Sequence, residues 1–155
     1  MDAHHAAVDE LQNRYILALD NRDWDAWLGA FARDGQYFAV AADDVQAGRP
    51  LALMMDDSYE RLQDRIAYIT RVWTYEDYQT RHFVQRVAIK SLGDNEYDVL
   101  SNFSVFYTSE SGESNILAVG KYEDHVVIAA EGPRFKKKRA VIDTFLLPRY
   151  LVYPI

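Results

Sequence analysis

The sequence predicts an α+β domain in which three N-terminal helices cover the concave face of a curled antiparallel sheet. Two observations predict this class. Apolar residues recur at helical spacing in the first half of the chain, whereas the second half consists of long strand-like stretches separated by short turns. Strands of this length rarely lie flat, so the sheet is expected to twist and curl, leaving a concave side for the helices.

The three helices are predicted from apolar spacing and from residues suited to helix ends. Residues 4–19 carry one apolar stripe, made of Val8, Leu11, Tyr15 and Leu19. Asp23 is a good N-cap for a second, short helix, and Gly35 is placed to end that helix after Asp34. Apolar spacing indicates a third helix over residues 59–69, and its candidate caps are Asp56, Asp57 and Ser58.

The strands follow from alternation and from turn residues. A short strand is predicted over residues 36–41. Four long strands are predicted to form a meander, over residues 81–92, 96–109, 113–129 and 134–147. Both faces of the last two strands carry apolar residues, although a sheet with one face in water shows cleaner polar alternation. Part of the outer face is therefore expected to be covered by another chain.

Length and charge limit the class of protein. At 155 residues and 17.9 kDa the chain suits a single domain, residues 1–155. A net charge of −7 argues against a nucleic-acid partner, because phosphate contacts need a basic face. The one basic run, residues 136–139, lies in an alternating stretch and predicts a solvated strand. No apolar run is long enough to span a membrane and no secretory signal is visible, so we expect a cytoplasmic protein with no membrane partner.

The chain contains no cysteine, and this excludes several kinds of chemistry. Without thiolates it can form no disulfide, no cysteine-ligated zinc or iron–sulfur site and no cysteine nucleophile. Neither a nucleophile-elbow motif nor a nucleotide-binding glycine motif is present. Any redox cofactor must therefore be supplied by another component, and we predict no metal or cofactor ligands in this chain.

Two residues are candidates for acid–base chemistry at the start of the first long strand and the end of the first helix. Histidine side chains can carry or release a proton near neutral pH, so His82 could act as a general acid or base, or it could be a hydrogen-bonded histidine at a helix-to-strand junction. Asp20 precedes the short helix. In an apolar interior its carboxylate could have a raised pKa and act as a base, and the structural alternative is a helix-end cap.

Three further residues are weaker candidates. Asp34 follows the short helix and could be a base, or it could have the purely structural role of a turn residue. Asp143 is predicted in the middle of the last strand, where it could be a base or could form a buried ion pair with Arg81 or Arg139. Tyr107 could take a catalytic role, although aromatic residues on strands mostly fill cores or interfaces.

The opening of the chain resembles that of a known fold. A long helix, then Asp23, Trp24 and Trp27 in a short helix, then an immediate turn into a strand is similar to the cone-shaped α+β fold of ketosteroid isomerase and scytalone dehydratase, the nuclear-transport-factor-like or SnoaL-like fold. The resemblance poses one question about function. The interior of the cone either holds catalytic groups or is filled, leaving the sheet as a docking surface.

The chain as a whole resembles the small (beta) subunit of bacterial aromatic-ring-hydroxylating dioxygenases. Besides its opening, the similar elements are Asp56, Asp57, Tyr59, Leu62, Arg65, Ile66 and Thr70 before Thr80, Arg81 and His82; Ser101, Asn102 and Phe103 with Val105 and Tyr107; and Arg139, Val141, Ile142, Asp143 and Thr144 with Leu146 and Leu147. These elements span nearly the whole chain, and their order and spacing make the match specific.

The resemblance implies a non-catalytic, structural role in the hydroxylation of aromatic rings. In this family a large (alpha) subunit carries a Rieske iron–sulfur cluster and a mononuclear iron. The small subunit packs against the large one in a three-plus-three hexamer, with small subunits associating in a trimer. The absence of cysteine agrees with cofactors that lie in the partner.

Two alternatives remain open. The first is a stand-alone isomerase or dehydratase that uses His82 and an aspartate as acid and base. Scytalone dehydratase resembles this chain at Asp20, Asp23, Trp24 and His82, but Leu19 stands where that enzyme has a catalytic tyrosine, and no second histidine lies in residues 96–109. The second alternative is a domain that binds a small ligand, which would need an open polar cavity in the cone.

Overall fold

The computed structural model describes residues 2–155, which form helices first and a large sheet afterwards. In chain order the elements are α1 (Ala3–Asp20), α2 (Trp24–Gly29), β1 (Phe31–Ala41), α3 (Ala42–Gln46), β2 (Met54–Asp56), α4 (Tyr59–Ala67), a π-helical turn (Tyr68–Val72), β3 (Gln79–Gly93), β4 (Glu96–Thr108), β5 (Ser114–Ala129) and β6 (Gly132–Ile142). No helix among these residues is long and apolar enough to cross a membrane.

The helices begin where side chains cap their free backbone donors. Asp23 accepts a hydrogen bond from the backbone N–H of Ala26 at 3.0 Å, as its sequence position predicts. Ser58 takes the same role for α4 by accepting from the backbone of Arg61 at 3.2 Å. The predicted apolar stripe of α1 is buried along its length and packs on the sheet.

The sheet is curled and unclosed, and its six strands run in the order β2, β1, β6, β5, β4, β3. Strands β3 to β6 pair antiparallel in sequence order and form the predicted meander. Strand β1 extends the sheet by pairing parallel to β6, and β2 pairs antiparallel to β1. The predicted α+β class, with a curled sheet covered by helices, is confirmed.

The predicted number and ends of the elements need correction. The described residues hold a further short helix, α3, and a short strand, β2, in a stretch for which no element is predicted. Helix α2 ends at Gly29, so Gly35 does not terminate it. Gly35 lies within β1, at an irregularity in the pairing with β6, where a Cβ atom would come 2.8 Å from the carbonyl oxygen of Ala32. Only glycine fits this close approach without a local shift.

The last strand is shorter than predicted, and the alternation of its side chains between the two faces of the sheet is interrupted. Strand β6 ends at Ile142, so Asp143 lies beyond the strand and not in its middle. An irregularity pairs Phe135 with Val126 and Lys137 with His125, leaving one extra residue, Lys136, on β6. Such a β-bulge reverses the alternation of side chains along the strand. Phe135 and Lys138 consequently both point into the core, although three positions separate them.

Candidate functional site

The first candidate site lies where the end of α1 meets the start of β3. Asp20 is the last residue of α1, and His82 is the fourth residue of β3. One carboxylate oxygen of Asp20 lies 2.6 Å from Nδ1 of His82 and accepts from the Thr80 hydroxyl at 3.0 Å. The other oxygen accepts from the backbone N–H of His82 at 3.0 Å. Asp20 therefore ties the helix to the strand through three hydrogen bonds.

The electrostatics of this cluster favour an ionised carboxylate. Burial acts to raise the pKa of Asp20, but the hydrogen bonds from His82 and Thr80, together with the positive charge available on the imidazole, outweigh it and lower that pKa. Asp20 is thus a charged acceptor at neutral pH. It does not have the raised pKa that the acid–base hypothesis requires of it.

The imidazole of His82 is almost completely enclosed. Its side chain is 1% exposed, and its Nε2 atom has no hydrogen-bond partner among residues 2–155. Arg22 donates to the Thr80 hydroxyl at 3.0 Å and to the carbonyl oxygen of Tyr78, so its guanidinium is also part of this cluster. The Nε2 atom of His82 is therefore closed off from solvent in this arrangement.

The closing segment, residues 149–155, enters the interior beside α1 with its last residues buried. Ile155 is buried, and its backbone N–H donates to the Tyr37 hydroxyl at 2.8 Å while its carbonyl oxygen accepts from Tyr15 at 2.8 Å. Tyr153 stacks on Trp24 with 5.8 Å between ring centroids, and the Arg22 guanidinium lies 3.5 Å from the Tyr153 ring centroid. The chain itself therefore occupies the space next to the short helix.

The other three predicted candidates do not join this cluster. Asp34 lies on β1 with a largely exposed side chain, 3.8 Å from the ammonium of Lys136, so it is not the turn residue that the sequence suggested. Asp143 is exposed beyond β6, and among residues 2–155 it forms no ion pair with an arginine. Tyr107 is half-buried and packs edge-on against Tyr78. Within residues 2–155, no group of three or more histidine and acidic side chains could hold a metal ion.

A second buried polar cluster lies farther toward the start of α1, and the sequence analysis missed it. Lys138 is completely buried, so the solvated strand predicted for residues 136–139 is wrong at this position, whereas Lys137 is exposed as predicted. Its ammonium donates to the Asp124 carboxylate at 2.9 Å and to the Gln12 side-chain oxygen at 2.6 Å. Two sequence signals point to the cluster. Gln12 lies on the apolar stripe of α1, and Asp124 shares the inward face of β5 with Tyr122.

Burial changes the proton affinity of both ionisable groups in this cluster. Desolvation raises the pKa of Asp124 to about 6, although the charge and hydrogen bond of Lys138 oppose the change. Desolvation likewise lowers the pKa of Lys138 to about 8 against the attraction of Asp124. Both groups are charged between these two values, so the cluster is an ion pair at pH 7.

Exposed apolar side chains on the outer face of the sheet, together with two from the segment that follows β6 beside Val119, make up what we call the outer patch: Phe83, Phe106, Ile116 and Val119 on the strands, and Phe145 and Leu146 after β6. Neighbouring strands bring its members together, because Phe106 pairs with Ile116, and Phe83 and Val119 lie on either side of Ser104. The rings of Phe83 and Phe106 contact edge to face at 5.5 Å. Contiguous exposed apolar surface of this kind marks contact sites for other proteins.

Comparison with known proteins decides the family. The family model described as "Ring hydroxylating beta subunit" matches residues 14–149 of this chain. The small subunit of anthranilate 1,2-dioxygenase from Burkholderia cepacia is 36% identical over 145 residues, which cover 94% of this chain and 90% of that protein. This chain belongs to the ring-hydroxylating beta-subunit family.

Solved structures agree with this assignment of the beta subunit. A crystal structure assigned as the beta subunit of an aromatic-ring-hydroxylating dioxygenase from Novosphingobium aromaticivorans is 28% identical, with a TM-score of 0.87, and covers 97% of this chain and 95% of that chain. The beta subunit of benzoate 1,2-dioxygenase from Burkholderia mallei is 18% identical, with a TM-score of 0.75, and covers 97% and 98%. At that identity the second likeness shows the fold alone. The predicted family is confirmed, and the predicted non-catalytic role fits it.

Proposed function

We propose that this beta subunit is a structural component of an iron-dependent aromatic oxygenase and supplies no catalytic group of its own. In this proposal the large subunit holds the Rieske cluster and the mononuclear iron, and the small subunit acts as one domain in the cytoplasm. The observation that carries the proposal is the position of the closing segment. It packs on Trp24 of the short helix, and its backbone is bonded to Tyr15 and Tyr37 in the interior of the cone.

The outer patch is the part of the surface that we assign to subunit contacts. A permanent interface buries more than about 2,000 Å² in total and is rich in apolar side chains. Phe145 and Leu146 are 79% and 84% exposed in the isolated chain, which is costly for side chains of this size unless another subunit covers them. We therefore propose that the outer patch is buried in a three-plus-three assembly with the large subunit and with other small subunits.

The proposed substrate class is a benzoate-like or aminobenzoate-like aromatic acid. The support is the likeness to an anthranilate dioxygenase small subunit over 94% of the chain. In this proposal the pocket that selects the acid lies in the large subunit. Exchange of the small subunit between related oxygenases should therefore change the stability of the assembly more than the choice of substrate.

Co-expression with a candidate large subunit tests the proposal. We expect the two chains to co-purify with the mass of three copies of each, and to hydroxylate an aromatic acid only when a reductase supplies electrons. The variant Phe83→Asp should lose the complex, because it places a charge in the outer patch. Gln85→Asp, two residues further along the same exposed face of β3, is the matched control and should assemble normally.

Three outcomes would contradict parts of this proposal. If the two chains do not co-purify, the proposed assembly is wrong. If the Phe83→Asp variant assembles as well as the control does, the outer patch is not part of the interface.

A stand-alone acid–base enzyme is the second candidate, and the hydrogen-bonded pair of Asp20 and His82 is the observation that favours it. Turnover by the isolated chain that disappears in His82→Ala would establish that candidate instead.

A further inference from the structure

A groove of about 370 Å³ lies between α1 and α2 and ends at the start of β6; we call it the helix groove. Its apolar walls come from Leu17, Ala18, Ala26 and Ala30, and none of the residues of the two buried clusters lines it. The side chain of Leu17 is largely exposed in the isolated chain. Ligand pockets in proteins begin at about 300 Å³, so the helix groove has room for a molecule of roughly one ring.

Two arginines meet at one end of the helix groove. Arg14 from α1 and Arg134 from β6 both line it, and they donate to the same carbonyl oxygen, that of Pro133, at 3.1 Å and 2.8 Å. The backbone N–H of Phe135 donates to the carbonyl oxygen of Ala30 at 2.8 Å, which holds the start of β6 against the end of α2. The fold therefore places two guanidinium groups side by side.

Most of the donors on these two guanidinium groups are free. An arginine side chain has five N–H donors, and within residues 2–155 Arg14 and Arg134 each use one of them in a hydrogen bond. Among the same residues neither arginine forms an ion pair, although the chain carries a net charge of −7. Arg14 is exposed and Arg134 is half-buried, so both are open to a solute. Two adjacent positive charges repel each other, and an anion that bridges them removes this repulsion.

The opposite end of the helix groove is polar and carries no positive charge. Asn21 follows the last residue of α1, two helical turns beyond Arg14 and about 10 Å away along the helix axis. Asp23 lines the same end, where its carboxylate caps α2 by accepting from the backbone N–H of Ala26 at 3.0 Å. A negative group is repelled at this end and attracted at the arginine end. The helix groove therefore imposes one orientation on an anionic ligand.

We propose that the helix groove binds a small carboxylate that carries a compact apolar body, such as a one-ring carboxylic acid. The carboxylate accepts hydrogen bonds from Arg14 and Arg134, whose planar guanidinium groups match its two oxygen atoms. The ring lies along the walls that α1 and α2 supply. This site is separate from the pocket that we propose for the large subunit.

The proposal is tested by titrating the isotope-labelled full chain with benzoate at pH 7.5 and following its amide NMR signals. We expect saturable shifts at Leu17, Gly29, Ala30 and Arg134, with a dissociation constant of about 1 mM or below for a ligand of this size. Benzamide keeps the ring but has no charge and should bind about tenfold more weakly, because the charge-assisted hydrogen bonds are lost. Acetate keeps the charge but has no ring, and it should also bind about tenfold more weakly.

Gly29 allows the helix groove to be filled without a steric clash. It is the last residue of α2 and lines the helix groove, and a Cβ atom added to it would meet no other heavy atom within 4 Å. Leucine also has a higher helix propensity than glycine, so Gly29→Leu should fold. We expect this variant to lose benzoate binding because its side chain occupies the place of the ring.

Substitutions of arginine test the charged end. Arg14→Gln removes one of the two guanidinium groups and should weaken benzoate binding about tenfold. Arg71→Gln is the matched control, because it removes the same charge from an exposed position on the π-helical turn, outside the helix groove, and it should bind benzoate as the parent does. Arg14→Lys keeps the charge without the planar fork, so its affinity should fall between those of the parent and Arg14→Gln.

Several results would overturn the proposal. Equal binding of benzoate and benzamide would show that the arginines do not hold the carboxylate, and equal binding of benzoate and acetate would show that the apolar walls do not hold the ring. Unchanged binding in both Gly29→Leu and Arg14→Gln, or no saturation at about ten times the expected constant, would do the same. None of these readouts depends on a large subunit or on oxygenase turnover, so a failure here is distinguishable from a failure of the proposed function.

Discussion

Two buried clusters that pack against α1 each hold a carboxylate beside a basic side chain, yet they differ in what surrounds the carboxylate. At the end of the helix, Asp20 accepts three hydrogen bonds from Thr80 and His82 at the start of β3. Nearer the middle of the helix, Asp124 of β5 binds the fully buried ammonium of Lys138, which also binds Gln12 of α1. The comparison shows that a buried carboxylate fastens a helix to a strand in one place and forms an ion pair in the core in the other, according to the side chains that face it.

Among the substitutions that test this comparison, removal of Lys138 should change the free energy of unfolding most. In Lys138→Met the Asp124 carboxylate loses its partner while it remains buried, which we expect to lower the free energy of unfolding by about 3–5 kcal/mol at pH 7. Urea unfolding measures this change. Lys137→Met, at the neighbouring exposed position, should stay within about 0.5 kcal/mol of the parent.

The pH dependence of Lys138→Met sharpens the same test. Burial already raises the pKa of Asp124 above its ordinary value, and loss of Lys138 removes the charge that opposes this rise. An acid whose pKa is raised by folding stabilises the protein below its unfolded pKa, and that contribution is lost as the pH rises through the folded value. The variant should therefore recover stability as the pH falls from 7 toward 5, and a deficit that does not change over this range would contradict the assignment.

Asp20→Asn should have the next largest effect, because it weakens the fastening between α1 and β3. Loss of charge-assisted hydrogen bonds to Thr80 and His82 should cost about 2–3 kcal/mol at pH 7. The pKa of Asp20 is lowered from its ordinary 3.8, so its contribution is present above that value and is lost as the pH falls through the lower folded value. The deficit of the variant should shrink below about pH 4, and a constant deficit in urea unfolding between pH 7 and 3 would argue against this role.

Tyr37→Phe tests how firmly the closing segment is held in the interior of the cone. The change removes the hydroxyl that accepts from the backbone N–H of Ile155 and leaves that buried donor without its partner. We expect a loss of about 1–2 kcal/mol in thermal or urea unfolding. Faster hydrogen exchange at Val152 and Ile155 should accompany it, and unchanged exchange there would mean that the segment is held by its apolar packing alone.

Arg86→Gln should have the smallest effect on stability. Arg86 of β3 and Asp9 of α1 form a partly exposed ion pair, and pairs of this kind contribute about 0.2–1 kcal/mol. This contribution should fall as sodium chloride is added, because exposed charges are screened. A loss as large as that of Lys138→Met would show that this exposed pair stabilises the fold as much as the buried pair does, which would contradict the importance we give to burial.

Much of the fold could be predicted because it depends on local patterns. The stripe of α1, the Asp23 cap and the four-stranded meander follow from spacing and turn residues, and each is present. The candidate site was predicted only in part. Asp20 and His82 do meet, whereas Asp34, Tyr107 and Asp143 lie elsewhere, because the proximity of residues on different strands depends on register.

The sequence by itself determined the class of fold, the family and the lack of cysteine ligands, since these depend on composition, periodicity and the order of motifs. Only the tertiary structure decided which polar groups are buried. One extra residue in β6, at Lys136, turns Lys138 from the solvent face into the core. The closing segment enters the cone through long-range contacts with Tyr15 and Tyr37, which no local pattern encodes. Burial and register are properties of pairs of distant segments, and for that reason they emerge only when the chain is folded.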